Sequence, residues 1–164
     1  MVYGIAPVAL WALLLHGRRD RIGRWWLVYL SGTLGAYALL PFFPSQPPRT
    51  AFPGEDLPHV MTLLRRLNLA IVGGFGIHSS VFPSAHVSSA FSAAWGLRAL
   101  IPERPWIGRW MAIYGCVVGV ATVYGRYHYA GDVVAGFVVS FAGLAALRLA
   151  EGKTRASRPS VSVT

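Results

Sequence analysis

The chain alternates long apolar segments with shorter polar ones, and this pattern predicts five membrane-spanning helices. The apolar residues fall in blocks, and about 20 consecutive apolar residues suffice for a helix to cross the hydrocarbon core of a bilayer. The first block lacks a basic leader and a small-residue cleavage site, so we interpret it as a retained span with its amino end outside. We therefore expect an all-α, polytopic transmembrane helix bundle whose spans cover about residues 1–16, 25–43, 86–101, 106–124 and 132–147.

The longest polar connection, residues 45–83, follows the second predicted span. Within it, apolar residues recur at helical spacing, which predicts an amphipathic helix on the membrane surface. These positions are Val60, Leu63, Leu64, Leu67 and Ile71. We expect one transmembrane catalytic domain over residues 1–148. Residues 149–164, rich in Ser, Thr and basic residues, are predicted to form a disordered cytoplasmic tail.

Composition agrees with a membrane protein and argues against a soluble or nucleic-acid-binding one. The 164 residues are 54% hydrophobic and only 13% charged, which is too apolar for an ordinary soluble domain. The net charge of +9 comes without a basic run interleaved with exposed aromatic residues, so we expect no nucleic acid as a partner. Cys116 is the single cysteine, which excludes both a disulfide framework and a cysteine-based metal site.

The basic residues are distributed unequally between alternate loops. Because cytoplasmic loops carry an excess of Lys and Arg, the richer set is predicted to lie inside. That set is Arg18, Arg19, Arg21, Arg24, Arg98, Arg104, Arg109, Arg148, Lys153, Arg155 and Arg158. The poorer set, predicted to lie outside, is Arg49, Arg65, Arg66 and Arg126. This orientation places His86 and His128 together at the extracytoplasmic face.

Two ionisable residues at the start of the fifth span, His128 and Asp132, have the spacing of a catalytic pair. Residues four apart share one face of a helix, so the carboxylate can hold one imidazole nitrogen while the other faces a substrate. This is the arrangement of an oriented nucleophile or base. A structural hydrogen bond that fastens the helix end fits the pair alone equally well.

A second candidate stretch, Ser84-Ala85-His86, opens the third span. Ser84 is predicted to be the N-cap, and the backbone N–H groups that follow it would form an anion site beside the His86 imidazole. By itself this stretch more often marks an ordinary capped helix. Combined with the pair at the fifth span, and with Arg49 and Arg126 on the same side, it predicts a phosphate site that contains a nucleophile, a proton donor and countercharges.

These stretches carry a resemblance to a known family. Phe-Pro-Ser-x-His at 82–86 and His-Tyr-x-x-Asp at 128–132 resemble the second and third motifs of the type-2 phosphatidic acid phosphatase superfamily. With the Pro-Pro pair at 47–48, the pattern is most similar to the inositol-phosphorylceramide-synthase-like branch. The similarity extends over about residues 40–145, and it implies an integral-membrane lipid phosphatase or phosphotransferase.

The resemblance also implies a mechanism and a role for each residue. His128 would attack phosphorus to form a phosphohistidine, Asp132 would position that imidazole, and His86 would protonate the leaving oxygen and then activate the acceptor. The substrate-binding residues that would hold the other phosphate oxygens are Arg49, Arg126 and Ser84. Positioning and charge stabilisation carry most of phosphoryl-transfer catalysis, so neither a cofactor nor a dedicated metal cluster is expected.

The sequence departs from the superfamily pattern at three positions. The first motif of the family has a Lys seven residues before an Arg-Pro pair. In this chain, Phe42 stands at the position of the Lys, seven residues before Arg49, and Thr50 stands at the position of the Pro. The third motif has an Arg six residues before its His, where this chain has Thr122. Arg126 is the candidate to replace that missing arginine.

Two other functions use the same residue types. Two His and one Asp can form a metal site in a metal-dependent membrane enzyme, and the polar residues could also serve non-catalytic transport or docking. Hydrolysis and transfer stay open as well, because water and an alcohol would use the same phosphoenzyme. We expect a lipid phosphate substrate and membrane lipids as partners, and the sequence leaves oligomerisation open.

Overall fold

The computed structural model describes residues 4–54, 60–63, 66–67, 69–70 and 81–156, and within them it is helical without any strand. This confirms the predicted all-α class. Short 3-10 turns at Arg19–Arg21 and Leu40–Phe42 flank the second helix. The α-helices bounded within this part of the chain are α1 (Ile5–Leu15), α2 (Ile22–Leu39), α3 (Pro48–Ala51), α4 (Ala85–Leu100), α5 (Pro105–Tyr124) and α6 (Ala130–Ala156).

Each of the five predicted apolar segments contains a helix, but five membrane spans are not confirmed. In the described part of the chain, α5 and residues Ala130–Gly152 of α6 are long and apolar enough to cross a membrane by length and composition. The helix α1 is apolar but has only 11 residues. The helix α4 has 16 residues and carries His86, Arg98 and several serines, which reduce its hydropathy.

The polar composition of α4 is explained by its place at the centre of the bundle, where it packs against α1, α2, α5 and α6. Its serine hydroxyls bind neighbouring backbone groups: Ser88 Oγ donates to Gly32 O at 2.8 Å, and Ser92 Oγ to Ser140 O at 3.4 Å. Because buried hydroxyls are costly only when they lack partners, these serines are compatible with the interior of the bundle.

Small residues allow α2 to lie close to α4 and α6. A Cβ built at Gly32 would collide with Ser92 Oγ, and one at Gly143 would collide with the Val28 carbonyl oxygen. The side chain of Trp25 fills the space over Gly96 in the same way, since a Cβ there would lie 2.8 Å from its Cδ1. These glycines thus fix the distance between the helices.

The basic loops meet at one end of the bundle. Arg18 Nε donates to Glu103 Oε1 at 3.1 Å, and Arg21 Nη1 donates to Leu100 O at 2.9 Å. These contacts join the loop before α2 to the turn after α4. Since His86 begins α4, the histidines lie at the opposite end of that helix. The fold by itself assigns neither end to a side of the membrane, so the sidedness stays a prediction.

The predicted amphipathic helix falls only partly within the described residues. Val60, Leu63 and Leu67 are exposed, and Leu63 and Leu67 are helical. Leu64 and Ile71 lie outside the described residues. The exposure of the apolar side chains agrees with a surface helix, and its contact with a membrane stays a prediction.

The last helix extends beyond the domain end predicted at residue 148. The helix α6 continues to Ala156, and Arg24 Nη1 lies 3.7 Å from Glu151 Oε1 across the basic end of the bundle. Leu, Ala, Glu, Lys and Arg dominate this stretch and all favour helix, which explains why the helix does not stop where the apolar block ends. Residues 157–164 of the predicted tail lie outside the described residues.

Replacing Gly143 by Ala should lower the free energy of unfolding by about 1–3 kcal/mol, because the new methyl group would force α6 away from α2. Thermal unfolding of the purified protein in detergent measures this effect. Gly152→Ala, in the same helix, is the matched control, since a Cβ added there would meet nothing within 4 Å. An equal loss of stability in both variants would contradict the packing described here.

Candidate active site

The two predicted motifs are joined by a backbone hydrogen bond. Ser84 N donates to Asp132 O at 3.0 Å, so the turn that begins α4 rests against the first turn of α6. Gly136, one turn after Asp132, makes this approach possible, because a Cβ at that position would collide with the Ser84 carbonyl oxygen. The histidines of the two motifs are therefore brought to the same end of the bundle.

Ser84 caps α4, which confirms its predicted N-cap role. Its Oγ accepts from Val87 N at 3.4 Å, and its carbonyl accepts from Ser88 N at 3.0 Å. The first N–H groups of a helix have no acceptor within the helix and carry the positive end of its dipole. The beginning of α4 thus presents N–H groups beside His86, as an anion site requires.

Asp132 is held in place and in turn holds His128. The Asp132 Oδ2 atom lies 3.3 Å from His128 Nδ1 and accepts from Tyr129 N at 2.8 Å. In the contact with Tyr129 N, the Asp132 carboxylate caps the beginning of its own helix, as the acidic residue of a capping box does. Both side chains are buried, with 6% of His128 and 4% of Asp132 exposed. The carboxylate therefore fixes the orientation of the imidazole.

The other nitrogen of His128 faces His86. His128 Nε2 lies 3.4 Å from His86 Nδ1. The centroids of the two rings are 5.6 Å apart, and the ring planes make an angle of 66°. One assignment of protons satisfies both contacts of His128: its Nδ1–H donates to Asp132, and its Nε2 accepts from His86 Nδ1–H. In this tautomer Nε2 carries the lone pair that a nucleophile needs.

The two imidazoles are in direct contact, with no space for a phosphoryl group between these two nitrogens. Reacting atoms approach to about 3–3.5 Å before bond formation, and the leaving oxygen lies beyond phosphorus. His86 is exposed, whereas His128 is buried and held on its other side. Substrate must therefore displace the His86 ring while His128 keeps its position.

Burial determines the charge of His128. Removal from water lowers the pKa of His128 below its ordinary value of 6.5, while the negative charge and hydrogen bond of Asp132 act in the opposite direction. The positive charge of Arg49 also lowers this pKa. Because this pKa lies below 6.5, the imidazole is mostly neutral at pH 7, the form in which one ring nitrogen has a free lone pair.

Arg49 lies close to the loop that carries His128. Its backbone N donates to Arg126 O at 3.1 Å, and its guanidinium carbon is 4.5 Å from the centroid of the Tyr127 ring. Its positive charge is the smallest of the influences on the pKa of His128, and it lowers that pKa. The structure thus brings Arg49 to the histidine end of the bundle, as the sequence predicted.

Arg126 also lies at this end, with its guanidinium directed to the backbone of the preceding loop. Its Nη2 donates to the carbonyl oxygens of Pro48, at 3.4 Å, and Phe52. These contacts hold the ends of α3. Neither contact tests its predicted role as a substrate-binding residue.

Two residues that the sequence analysis did not single out support the site. Ser45 Oγ accepts from Val81 N at 3.1 Å and from Phe82 N at 3.2 Å, which fixes the segment that leads into Ser84. Gly136 permits the contact described above between α6 and Ser84. A glycine four residues after Asp132 marks a close approach on the same helix face, whereas no local signal connects Ser45 with residues 81–82.

The described residues contain no group of three His, Cys, Asp or Glu side chains in a metal-binding arrangement. Asp132 lies behind His128, on Nδ1, while His86 lies in front of it, on Nε2. The imidazole of His128 thus lies between the other two side chains, and the three do not surround a common point as metal ligands do. Such an arrangement can serve a nucleophilic imidazole with a proton donor beside it.

Comparison with known proteins agrees with the sequence motifs. A family model described as the PAP2 superfamily, that of the type-2 phosphatidic acid phosphatases, matches residues 1–146. No curated protein and no solved structure matches the chain. The match includes both histidine motifs and both candidate arginines.

Replacing Asp132 by Asn should lower the pKa of His128 further, because the carboxylate charge that favours the protonated imidazole is removed. Histidine chemical shifts, followed by NMR over a pH titration, measure the change. Asp20→Asn, at the basic end of the bundle, is the control and should leave the pKa of His128 unchanged. A pKa of His128 that stays the same or rises in Asp132→Asn would contradict the pairing.

Proposed function

We propose, because the chain belongs to the PAP2 superfamily, that it is an integral-membrane lipid phosphatase or phosphotransferase that works through a phosphohistidine. Its substrate would be a phospholipid or a lipid phosphate or diphosphate. Membership in the superfamily supports phosphatase or phosphotransferase activity. The choice of lipid and the covalent intermediate are our proposal.

One observation carries the proposal: His128 is held between Asp132 and His86. The carboxylate fixes Nδ1 at 3.3 Å, and His86 lies 3.4 Å from the opposite nitrogen. A structural hydrogen bond needs only the first contact. The second supplies a group that can give a proton to whatever atom departs as Nε2 attacks.

In the first step, the Nε2 lone pair of His128 attacks phosphorus as the bond between phosphorus and the leaving oxygen breaks. His86 enters this step as an imidazolium, having taken a second proton from solvent; it gives one proton to that oxygen and is left neutral, and the product alcohol departs. Asp132 stabilises the positive charge that forms on the imidazole. The phosphoryl group is then bound to His128 Nε2.

In the second step, His86 takes a proton from the acceptor, whose oxygen attacks phosphorus as the bond to Nε2 breaks. Water as acceptor gives hydrolysis, and a lipid alcohol gives transfer. The residues at the site serve both reactions equally. The acceptor that the pocket admits decides the outcome.

The negative charge of the phosphoryl group requires donors that do not react. Arg49, whose charge already acts on His128, and the first N–H groups of α4 after Ser84 are placed for this task. Ser84 Oγ binds Val87 N, so the contribution of Ser84 is to fix these N–H groups.

The outer surface of the bundle supports a membrane location. Large apolar side chains are exposed on α5 and α6, which are also the two helices suited to crossing a bilayer. Contiguous exposed apolar surface of this kind marks contact with lipid or another protein. Examples along these helices are Ile113, Val117, Val120, Val134 and Val138.

The finer parts of the proposal rest on sequence. The excess of basic residues at the end away from the histidines supports five spans with the active site at the extracytoplasmic face of the cell membrane. The Pro-Pro pair and the spacing within the third motif support the inositol-phosphorylceramide-synthase-like branch. That branch would favour transfer to a lipid alcohol.

Replacing His128 by Ala should lower the turnover of short-chain phosphatidic acid in detergent by roughly three orders of magnitude or more, because the nucleophile is lost. His86→Ala should cost roughly 10²–10⁴-fold, as expected for a general acid and base. Mass spectrometry of the lipid products measures both. Adding a phospholipid donor with and without a lipid alcohol separates transfer from hydrolysis.

The matched control is His16→Ala, since His16 follows α1 at the end of the bundle away from the site, where its Nδ1 lies 2.8 Å from Ala12 O. It should keep the wild-type rate. Activity lost on dialysis against excess chelator and restored by a metal ion would favour the metal-dependent alternative. Full activity in the His128→Ala variant would overturn the proposed function.

A further inference from the structure

Arg126 has an unusual backbone conformation for an arginine. It follows α5 with a φ of 61°, in the left-handed region where a helix end usually has Gly or Asn. Its N donates to Val123 O at 2.9 Å, and its carbonyl accepts from Arg49 N at 3.1 Å. A residue that lacks the freedom of glycine at such a position points to a use for its side chain.

The side chain of Arg126 binds α3 at both ends. Its Nη2 donates to Pro48 O, in the first residue of α3, and to Phe52 O, immediately after its last residue. A helix of four residues has little stability of its own, since most of its backbone groups have no partner within it. The position of α3 therefore depends on contacts such as these.

Arg49 is the second residue of α3, between the two carbonyl groups that Arg126 binds. Its guanidinium stacks over Tyr127, the residue between Arg126 and His128. Its charge acts on His128. Any movement of α3 would thus carry Arg49 away from the imidazole.

We propose that Arg126 is a positioning residue: its guanidinium fixes α3 so that Arg49 faces the phosphate site, and it acts through Arg49 rather than by contact with phosphate. The proposal rests on the proposed function for the identity of the ligand. It assigns the two arginines different tasks, although the sequence predicted the same task for both.

The test uses Arg126→Gly, because glycine suits a φ of 61° and its backbone retains the carbonyl that accepts from Arg49 N. Binding of inorganic phosphate to the purified full-length protein is measured by titration for Arg126→Gly, Arg49→Gln and the double variant. We expect each single variant to bind about tenfold more weakly, and the double variant to bind no more weakly than the weaker single one.

A second measurement does not depend on phosphate. Because the charge of Arg49 lowers the pKa of His128, release of Arg49 should raise that pKa. NMR titration should show an increase in Arg126→Gly similar to that in Arg49→Gln. Arg126→Lys, which keeps a donor but not the planar fork, should give an intermediate result and serves if the glycine variant fails to fold.

The matched control is Arg104→Gly. Arg104 is exposed and comes immediately before the first residue of α5, whereas Arg126 follows the last turn of that helix. The control should change neither phosphate binding nor the pKa of His128. If the double variant lost phosphate affinity by the product of the two single losses, Arg126 would bind phosphate directly and the proposal would be overturned. An unchanged pKa of His128 in Arg126→Gly would also overturn it. A wild-type protein that fails to bind phosphate would count against the proposed function, while the NMR titration would still decide the positioning role.

Discussion

The site depends on one backbone hydrogen bond, from Ser84 N to Asp132 O, that holds the first turn of α4 against the first turn of α6. His86 and His128 are 42 residues apart in the chain, and their side chains meet where these two turns are joined. The bond needs a close approach of the two backbones, and Gly136 provides it. A single glycine thus links the packing of the helices to the chemistry of the site.

The central position of α4 follows from the same requirement. The helix α4 packs against α1, α2, α5 and α6. Its alanines, its serines and Gly96 allow close approach, and the hydroxyls of Ser88 and Ser92 bind backbone carbonyls of neighbouring helices. The resulting helix is shorter and less apolar than α5, so it does not have the length and composition of a membrane span.

The parts of the site that could be predicted from sequence are those set by local geometry. The four-residue spacing predicted Asp132 beside His128, although His128 precedes α6 and the carboxylate reaches back to it from the first turn of that helix. Capping chemistry places Ser84 at the start of α4. The loop contacts could not be predicted, because the contacts of Ser45 with residues 81–82 and of Arg126 with the ends of α3 depend on how distant segments meet. A helix was predicted correctly in each of the five apolar segments, whereas α6 continues past the end of its apolar block, as the helix propensity of the following residues favours.

The direct contact between His86 and His128 implies that the first of these rings moves when substrate enters, while the second stays fixed by Asp132. In the proposed reaction, His128 supplies the nitrogen that bonds to phosphorus. This bond can be tested by mass spectrometry of the purified protein, quenched at alkaline pH during turnover of phosphatidic acid. We expect a phosphate on His128 that is stable to base and labile to acid. Turnover with the phosphate on His86, or with no phosphorylated histidine at all, would show that His128 is not the nucleophile.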